Sequence, residues 1–476
     1  MRALFLVIGF VLFSMISGLA QSGHKIDFEL SNYENDTIII GYYFADRQLV
    51  QDTLIAESKG KFVLSGKDPL EPGIYLMLIK PDNSFLQFMV NDKEQHFSIK
   101  TNALKLGDVS FKNSKDNELF YDYLSFLGEH RPKSQNLKNQ QKDLEAKGKS
   151  TEQLLKKLDA LDEEVWAYQK KIIAENPKTI TALLIKGNTD IDVPEFTGTP
   201  EEVKEKSFKY YKKHFFDNIE FENPAIIRTP FLDTRIKSYI DNLTPKYPDS
   251  MSESIDLILE KLKPIDDAYK FYLSTYLNES ANSKVVGQDA VYVHLVDNYY
   301  KTGKADWVTE ESLQKLVDNA DRLRPNLIGR TAPDVQLYKE DGTPLNLSAI
   351  DTDYTVLFFW APDCGHCKKS MPDAIAFNEK YKDKGVTVLA VCTKHTEKYP
   401  SCWEYIKNKE NMEHFLNVGD EFHRSRFKKI FNVRSTPMIY ILDRNREILV
   451  KSIGTNQLEE VMEQLFKLKE MENIKE

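Results

Sequence analysis

The chain has 476 residues and four cysteines: Cys364, Cys367, Cys392 and Cys402. They crowd one C-terminal stretch, and more than three hundred residues before them contain none. A chain stapled for stability spreads its cysteines through its domains, so this crowding points to chemistry. In Cys364-Gly365-His366-Cys367 two thiols stand three apart at the start of a predicted helix. Free N–H groups and the helix dipole there favour negative charge on the first sulfur, and the thiolate is the nucleophile. The second thiol, one turn inward, is placed to attack a mixed disulfide and release the product. A protonated His366 adds positive charge beside Cys364, which lowers the thiol pKa, stabilises the dithiol and makes the disulfide more oxidising. Two plainer readings compete. The pair is half of a zinc site if His395, Cys392 and Cys402 supply the other ligands. It is a structural link if the two cysteines only join adjacent turns, which constrains little of the unfolded chain. The strand–turn–helix setting favours redox chemistry over both, so no metal and no cofactor is expected.

That setting is legible on both sides of the motif. Tyr354–Trp360 reads as a buried strand, Ala361-Pro362-Asp363 as a tight connection, and Val386–Val391 as the next buried strand. Upstream, Val335–Leu337 and Leu345–Leu347 flank Asp341-Gly342 as a hairpin. Downstream, a helix is predicted from Glu421 to Phe431, then Ser435-Thr436-Pro437 leads into a strand from Met438 to Leu442. Proline at a strand entrance suits a cis peptide bond and carries no N–H. Thr436 beside it then keeps its backbone groups for an incoming peptide.

Phe359-Trp360-Ala361-Pro362-Asp363-Cys364-Gly365-His366-Cys367-Lys368 resembles the active site of the thioredoxin superfamily. Pro437 falls where that family has its cis-proline, Pro372 where a proline kinks the active-site helix, and Lys451–Gly454 resembles its closing strand. The similarity runs from about Ile328 to Phe466, and Gly365-His366 matches protein disulfide isomerases. It implies Cys364 as nucleophile, Cys367 as resolving thiol, and Trp360, Thr436 and Pro437 in contact with substrate. In one respect the chain departs from thioredoxin: Phe358 stands where thioredoxin has a buried aspartate that moves protons to the resolving cysteine. Water, Glu379 or Lys394 must serve instead. Between Cys392 and Pro437 there is room for an extra helix (Cys402 to Lys409) and strand (His414 to Val418), as in exported TlpA/ResA-like thioredoxins. The resemblance implies dithiol–disulfide exchange with protein thiol substrates and a membrane electron-transfer partner. Its direction is open: His366 suggests oxidation or isomerisation, the insert suggests reduction. Cys392 and Cys402 are open between a second disulfide, a relay and two free thiols.

The rest of the chain reads as support. Residues 1–20 form a signal peptide: Arg2, an apolar run, then small residues at Gly18 and Ala20. An uncleaved anchor is the competing reading, and no cysteine follows Ala20 to carry a lipid. The protein is therefore expected in the periplasm or cell envelope. Residues 21–112 read as short strands separated by Gly, Pro, Asn and Asp, among them Thr37–Phe44, Lys61–Gly66, Gly73–Ile79, Phe85–Val90 and Gln95–Ile99. They predict a small antiparallel β-sandwich. Residues 113–325 take helical spacing, with Ser150-Thr151-Glu152-Gln153 as a capped start and Arg131–Lys149 as a solvated helix or a connector. Residues 326–476 complete a multidomain α+β chain with a thioredoxin-fold α/β domain. The net charge of -9 argues against a nucleic-acid partner. An envelope binding or scaffold protein, whose first two domains recruit partners and whose redox domain is accessory, is the alternative from another class.

Overall fold

The computed structural model describes residues 23–473, with side chains to Met471. The predicted signal peptide lies outside the described residues. No helix among the described residues is long and apolar enough to cross a membrane. The chain divides into two compact units, one ending at Leu243 and the other beginning at Thr244, so the helices of the middle region are shared between them.

The first unit opens with eight strands: β1 His24–Ser31, β2 Thr37–Phe44, β3 Arg47–Ile55, β4 Lys61–Gly66, β5 Gly73–Ile79, β6 Phe85–Val90, β7 His96–Asn102 and β8 Lys105–Lys112. They make two four-stranded sheets, β4-β1-β7-β8 and β3-β2-β5-β6. Every pair is antiparallel except β1 with β7, which runs parallel. Alternate residues of the strands meet in one core, where Phe28, Phe62, Tyr75 and Phe88 are buried. Each such side chain contributes roughly 1.5–3 kcal/mol by leaving water.

Five helices follow: α1 Lys115–Ala146, α2 Glu152–Glu175, α3 Ile180–Asn188, α4 Pro200–His214 and α5 Pro230–Asn242. The polar stretch after Arg131 is thus a solvated helix as far as Ala146. The start of α2 differs from expectation, because Thr151 makes no side-chain cap bond. The buried carboxylate of Asp116 ties α1 to α3, accepting from the Ile180 and Thr181 N–H groups and from the Thr181 hydroxyl.

The second unit begins with α6 Pro248–Leu262, α7 Asp266–Asn282, α8 Asp289–Leu295 and α9 Glu310–Leu323; a single π-helical turn, Val296–Tyr300, extends α8. The sheet region then runs β9 Gln336–Tyr338, β10 Pro344–Asn346, β11 Tyr354–Trp360, α10 Gly365–Tyr381, β12 Val386–Cys392, α11 Pro400–Lys407, β13 Leu416–Gly419, α12 Phe427–Ile430, β14 Met438–Asp443, β15 Ile448–Lys451 and α13 Leu458–Asn473. Seven strands pair in the order β10-β9-β13-β12-β11-β14-β15. The central β13, β12 and β11 are parallel, while β14 and β15 are antiparallel.

Every residue of β11 is buried, as a strand covered on both faces requires. Val356, Phe358 and Trp360 point to one face, with Met371, Ala374 and Phe377 of α10. Leu357 and Phe359 point to the other, with Phe427, Phe431 and Tyr440. Because β11 is clamped this way, its C-terminal end delivers the motif cysteines to a fixed place.

The predicted helix from Glu421 is a correction: only Phe427–Ile430 is helical. The cause is Asp420, which is buried and accepts from the Arg424 and Ser425 N–H groups and the Ser425 hydroxyl. Those bonds offer the backbone a turn in place of a helix. His423 and Arg426 then take left-handed φ values of 53° and 54°.

Candidate active site

Cys364 is the N-cap of α10, with extended backbone at φ -82° and ψ 115°. Its sulfur accepts the Cys367 N–H at 3.2 Å and its thiol donates to the Thr436 carbonyl at 3.1 Å. Thr436 is joined to Pro437 by a cis peptide bond. The two segments read separately in the sequence, the C-x-x-C turn and the Thr-Pro strand entrance, therefore meet at one sulfur.

Both thiols are free, Cys364 half-buried and Cys367 buried at 1% exposure. Their electrostatics differ in sign. Burial pushes the Cys364 thiol up, but hydrogen bonding from the Cys367 thiol, from the Thr436 side chain and from the N–H groups of Cys367 and His366 outweighs it and leaves the thiol below its ordinary value. Burial, reinforced by the hydrogen bond with Cys364, pushes Cys367 up to about 11. The His366 ring is exposed, and what His366 brings to the Cys364 sulfur is its backbone N–H.

This asymmetry has a direct test. In the reduced protein, iodoacetamide near neutral pH is expected to label Cys364 alone, with a rate midpoint lower than that of an unperturbed thiol measured alongside. Cys367 should label only after unfolding. Peptide mass mapping across pH reads both; equal labelling of the two at pH 7 would contradict the asymmetry.

Trp360, expected at the substrate surface, is wholly buried. It is the last residue of strand β11 and packs on Tyr405 with ring centroids 5.2 Å apart, so it supports the site from beneath. Thr436 lines the surface cleft with Cys364. Cys392 and Cys402 are joined in a disulfide, which fastens the inserted α11 to the end of β12. Both are buried in the same apolar cluster as Cys367. Among the described residues no group of three or more His, Cys, Asp or Glu is placed to hold a metal ion. Of the two side chains considered for proton transfer, Lys394 lines the cleft and pairs with Asp363 at 2.7 Å. Glu379 pairs instead with Lys382 and His414 and is not part of that lining.

The cleft encloses about 420 Å³ beside Cys364. Sequence reasoning singled out only Lys394 and His395 among its charged residues. Lys398, Lys428 and Arg434 also line it; Lys428 and Arg434 lie in the basic run from Arg424 to Arg434, which is distant in sequence from Lys398 and Cys364, so the run marks charge but not the cleft it faces.

Comparison with known proteins places the similarity where the site lies. Residues 327–467 match the Redoxin family. Residues 24–120 and 135–323 match two families, each described as a domain of unknown function (DUF4369 and DUF5106). The C-terminal region is similar to the thiol-disulfide oxidoreductase ResA of Bacillus cereus, 24% identical over 142 residues, which is 30% of this chain and 78% of that protein. A ResA of Oceanobacillus iheyensis is 36% identical over 74 residues, 15% of this chain and 38% of that protein. Among solved structures, a thioredoxin-like protein from Bacteroides caccae matches 57% of this chain and 96% of its own at 18% identity and a TM-score of 0.44. A domain of a possible thiol-disulfide isomerase from Cytophaga hutchinsonii matches 30% of this chain and 97% of its own, at 30% identity and a TM-score of 0.28.

Proposed function

We propose, for a thiol–disulfide oxidoreductase whose C-terminal domain belongs to the thioredoxin superfamily in its ResA/TlpA-like form, that the Cys364–Cys367 pair exchanges electrons with protein thiols outside the cytoplasm. Cys364 attacks a substrate disulfide as the thiolate. One substrate sulfur leaves with the electron pair and a mixed disulfide forms. Cys367 then loses its proton and attacks the Cys364 sulfur, releasing the second substrate thiol and leaving the Cys364–Cys367 disulfide. The reverse sequence oxidises a substrate dithiol. The observation that carries this reading is the opposite displacement of two adjacent thiols, the outer one held toward thiolate and the inner one held protonated.

Two features support export. The N-terminal sequence reads as a signal peptide, and the buried Cys392–Cys402 disulfide suits an oxidising compartment. Closing a loop of sequence separation 10 contributes roughly 3 kcal/mol in the chain-entropy account. The three family matches also support reading the chain as a β domain at 21–112, a helical domain at 113–325 and the redox domain at 326–476.

Equilibration in glutathione redox buffers tests the reading. The pair is expected to titrate as one two-electron couple. Hydrogen bonds that favour the Cys364 thiolate stabilise the dithiol, so the potential should lie above the about -270 mV of thioredoxin. A Cys364–Cys367 disulfide that never forms anywhere between about -120 and -300 mV would remove the proposal.

A further inference from the structure

The cleft beside Cys364 is basic in a chain whose net charge is -9. Lys394, Lys398, Lys428 and Arg434 line it, against the carboxylates of Asp363 and Glu397. Asp363 is already taken up by Lys394. Among the described residues Lys398 and Lys428 have no ion-pair partner, and Arg434 bonds only amide oxygens, those of Asn432 and Asn319. Lys428 is half-buried, and after burial itself the neighbouring Lys394 charge is what holds its pKa down. That is the signature of positive charge left uncompensated.

Arg434 and Ser435 also line a second cavity of about 610 Å³, between α7, α9 and the β14–β15 edge of the sheet, all in the second unit. It holds the exposed Lys284, again without an ion-pair partner among the described residues, and the buried Asn326, whose side-chain oxygen has no hydrogen-bond partner. Its one lining carboxylate, Asp289, is paired with the buried Lys451. The two hollows thus share a wall, carry the same sign, and lie on either side of Ser435, next to the residue whose carbonyl meets Cys364.

We infer that they form one groove, which takes an acidic, extended polypeptide segment flanking the reacting cysteine of the substrate. The inference rests on the exchange reading above. Aspartate and glutamate side chains would meet Lys398 and Lys428 near the sulfur, and Lys284 and Arg434 farther along. Charge of one sign in a concave, partly desolvated site raises encounter rates with oppositely charged partners and loses that effect in salt.

The test uses the reduced full-length protein and disulfide-linked dimers of two synthetic peptides, one with acidic and one with basic residues around its single cysteine. Hydroxyethyl disulfide, small and neutral, is the third substrate. At low ionic strength the acidic dimer is expected to react about tenfold faster than the basic one, and the ratio should fall toward one in high salt. Lys398→Glu should lower the ratio for any acidic flank. Lys284→Glu should lower it only for a flank long enough to reach the second cavity. Because the readout is a ratio within one protein, a change in thiol reactivity common to both peptides cancels. Lys398→Gln serves if the charge reversal does not fold. Normal reaction with hydroxyethyl disulfide but a peptide ratio near one overturns the inference and leaves the exchange reading standing. A ratio that ignores both lysine variants overturns the placement of the groove. No reaction with any of the three disulfides overturns the exchange reading and this inference with it.

Discussion

Cys364→Ser is expected to reduce disulfide exchange to the uncatalysed rate, a fall of about a thousandfold or more. A serine hydroxyl does not ionise in the pH range where the thiolate works, and oxygen cannot form the mixed disulfide that the reaction requires. The fold should hold. Cys364 is the N-cap of α10 and its sulfur accepts the Cys367 N–H; serine is among the best residues for that position. The unfolding free energy should therefore change by no more than a surface substitution causes, within about 0.5 kcal/mol. Insulin reduction and refolding of a scrambled disulfide protein, measured beside the thermal transition, separate lost chemistry from lost structure. A folded Cys364→Ser protein that kept wild-type exchange in both assays would place the nucleophile elsewhere.

How much of this could be read before the structure depends on the range over which each feature is encoded. The uninterrupted apolar run of β11 and the two thiols three residues apart are local signals, and the strand and the N-cap fall at the positions they imply. In the first unit the bounds of Thr37–Phe44, Lys61–Gly66, Gly73–Ile79 and Phe85–Val90 are those of the strands observed. Strand β3 is nearly all exposed and has no apolar alternation to mark it. The turn at Asp420 is a contest between two local hydrogen-bond schemes, which composition alone does not decide. Trp360 shows the limit of carrying a role across by resemblance: the residue stands in the expected strand, but the strand's end is covered by α11 and Tyr405. The Cys392–Cys402 link depends on where the inserted helix lies against β12, a tertiary fact. The basic groove is the extreme case, because its charges come from the β12–α11 loop, the basic run through α12 to Arg434 and the segment after α7, and only folding brings these together.

Phe358 connects these observations to the second half of the reaction. At the position of the buried carboxylate in thioredoxin, a buried phenyl ring can neither accept nor donate a proton. Cys367 is held protonated by burial and by Cys364, so its proton must leave before it can attack. The Cys364 side of the pair opens onto the cleft that Lys394 lines, and water entering there is the available carrier. Burial, which persists in the mixed disulfide, still holds the Cys367 thiol up, so the resolving step is expected to be slower than the first attack and to quicken as pH rises.

Removing that step outright gives the second large effect. In a Cys367→Ala protein, Cys364 still attacks, but no neighbouring thiol releases the substrate, so the mixed disulfide should persist about a hundredfold longer or more. Alanine leaves the helix start intact and removes the group whose N–H donor remains in the backbone, so the Cys364 sulfur keeps that hydrogen bond. It loses the one from the Cys367 thiol, and the Cys364 pKa should rise, slowing the first attack modestly. The two effects are separable: alkylation across pH reports the shift at Cys364, while non-reducing electrophoresis of acid-quenched mixtures reports the lifetime of the adduct. Trapped adducts from envelope extracts should carry the substrate on Cys364 and leave the Cys392–Cys402 disulfide intact. If the adduct of the alanine variant resolved as fast as that of the wild type, Cys367 would not be the resolving thiol, and one of the two remaining cysteines would have to open its buried disulfide to take that part.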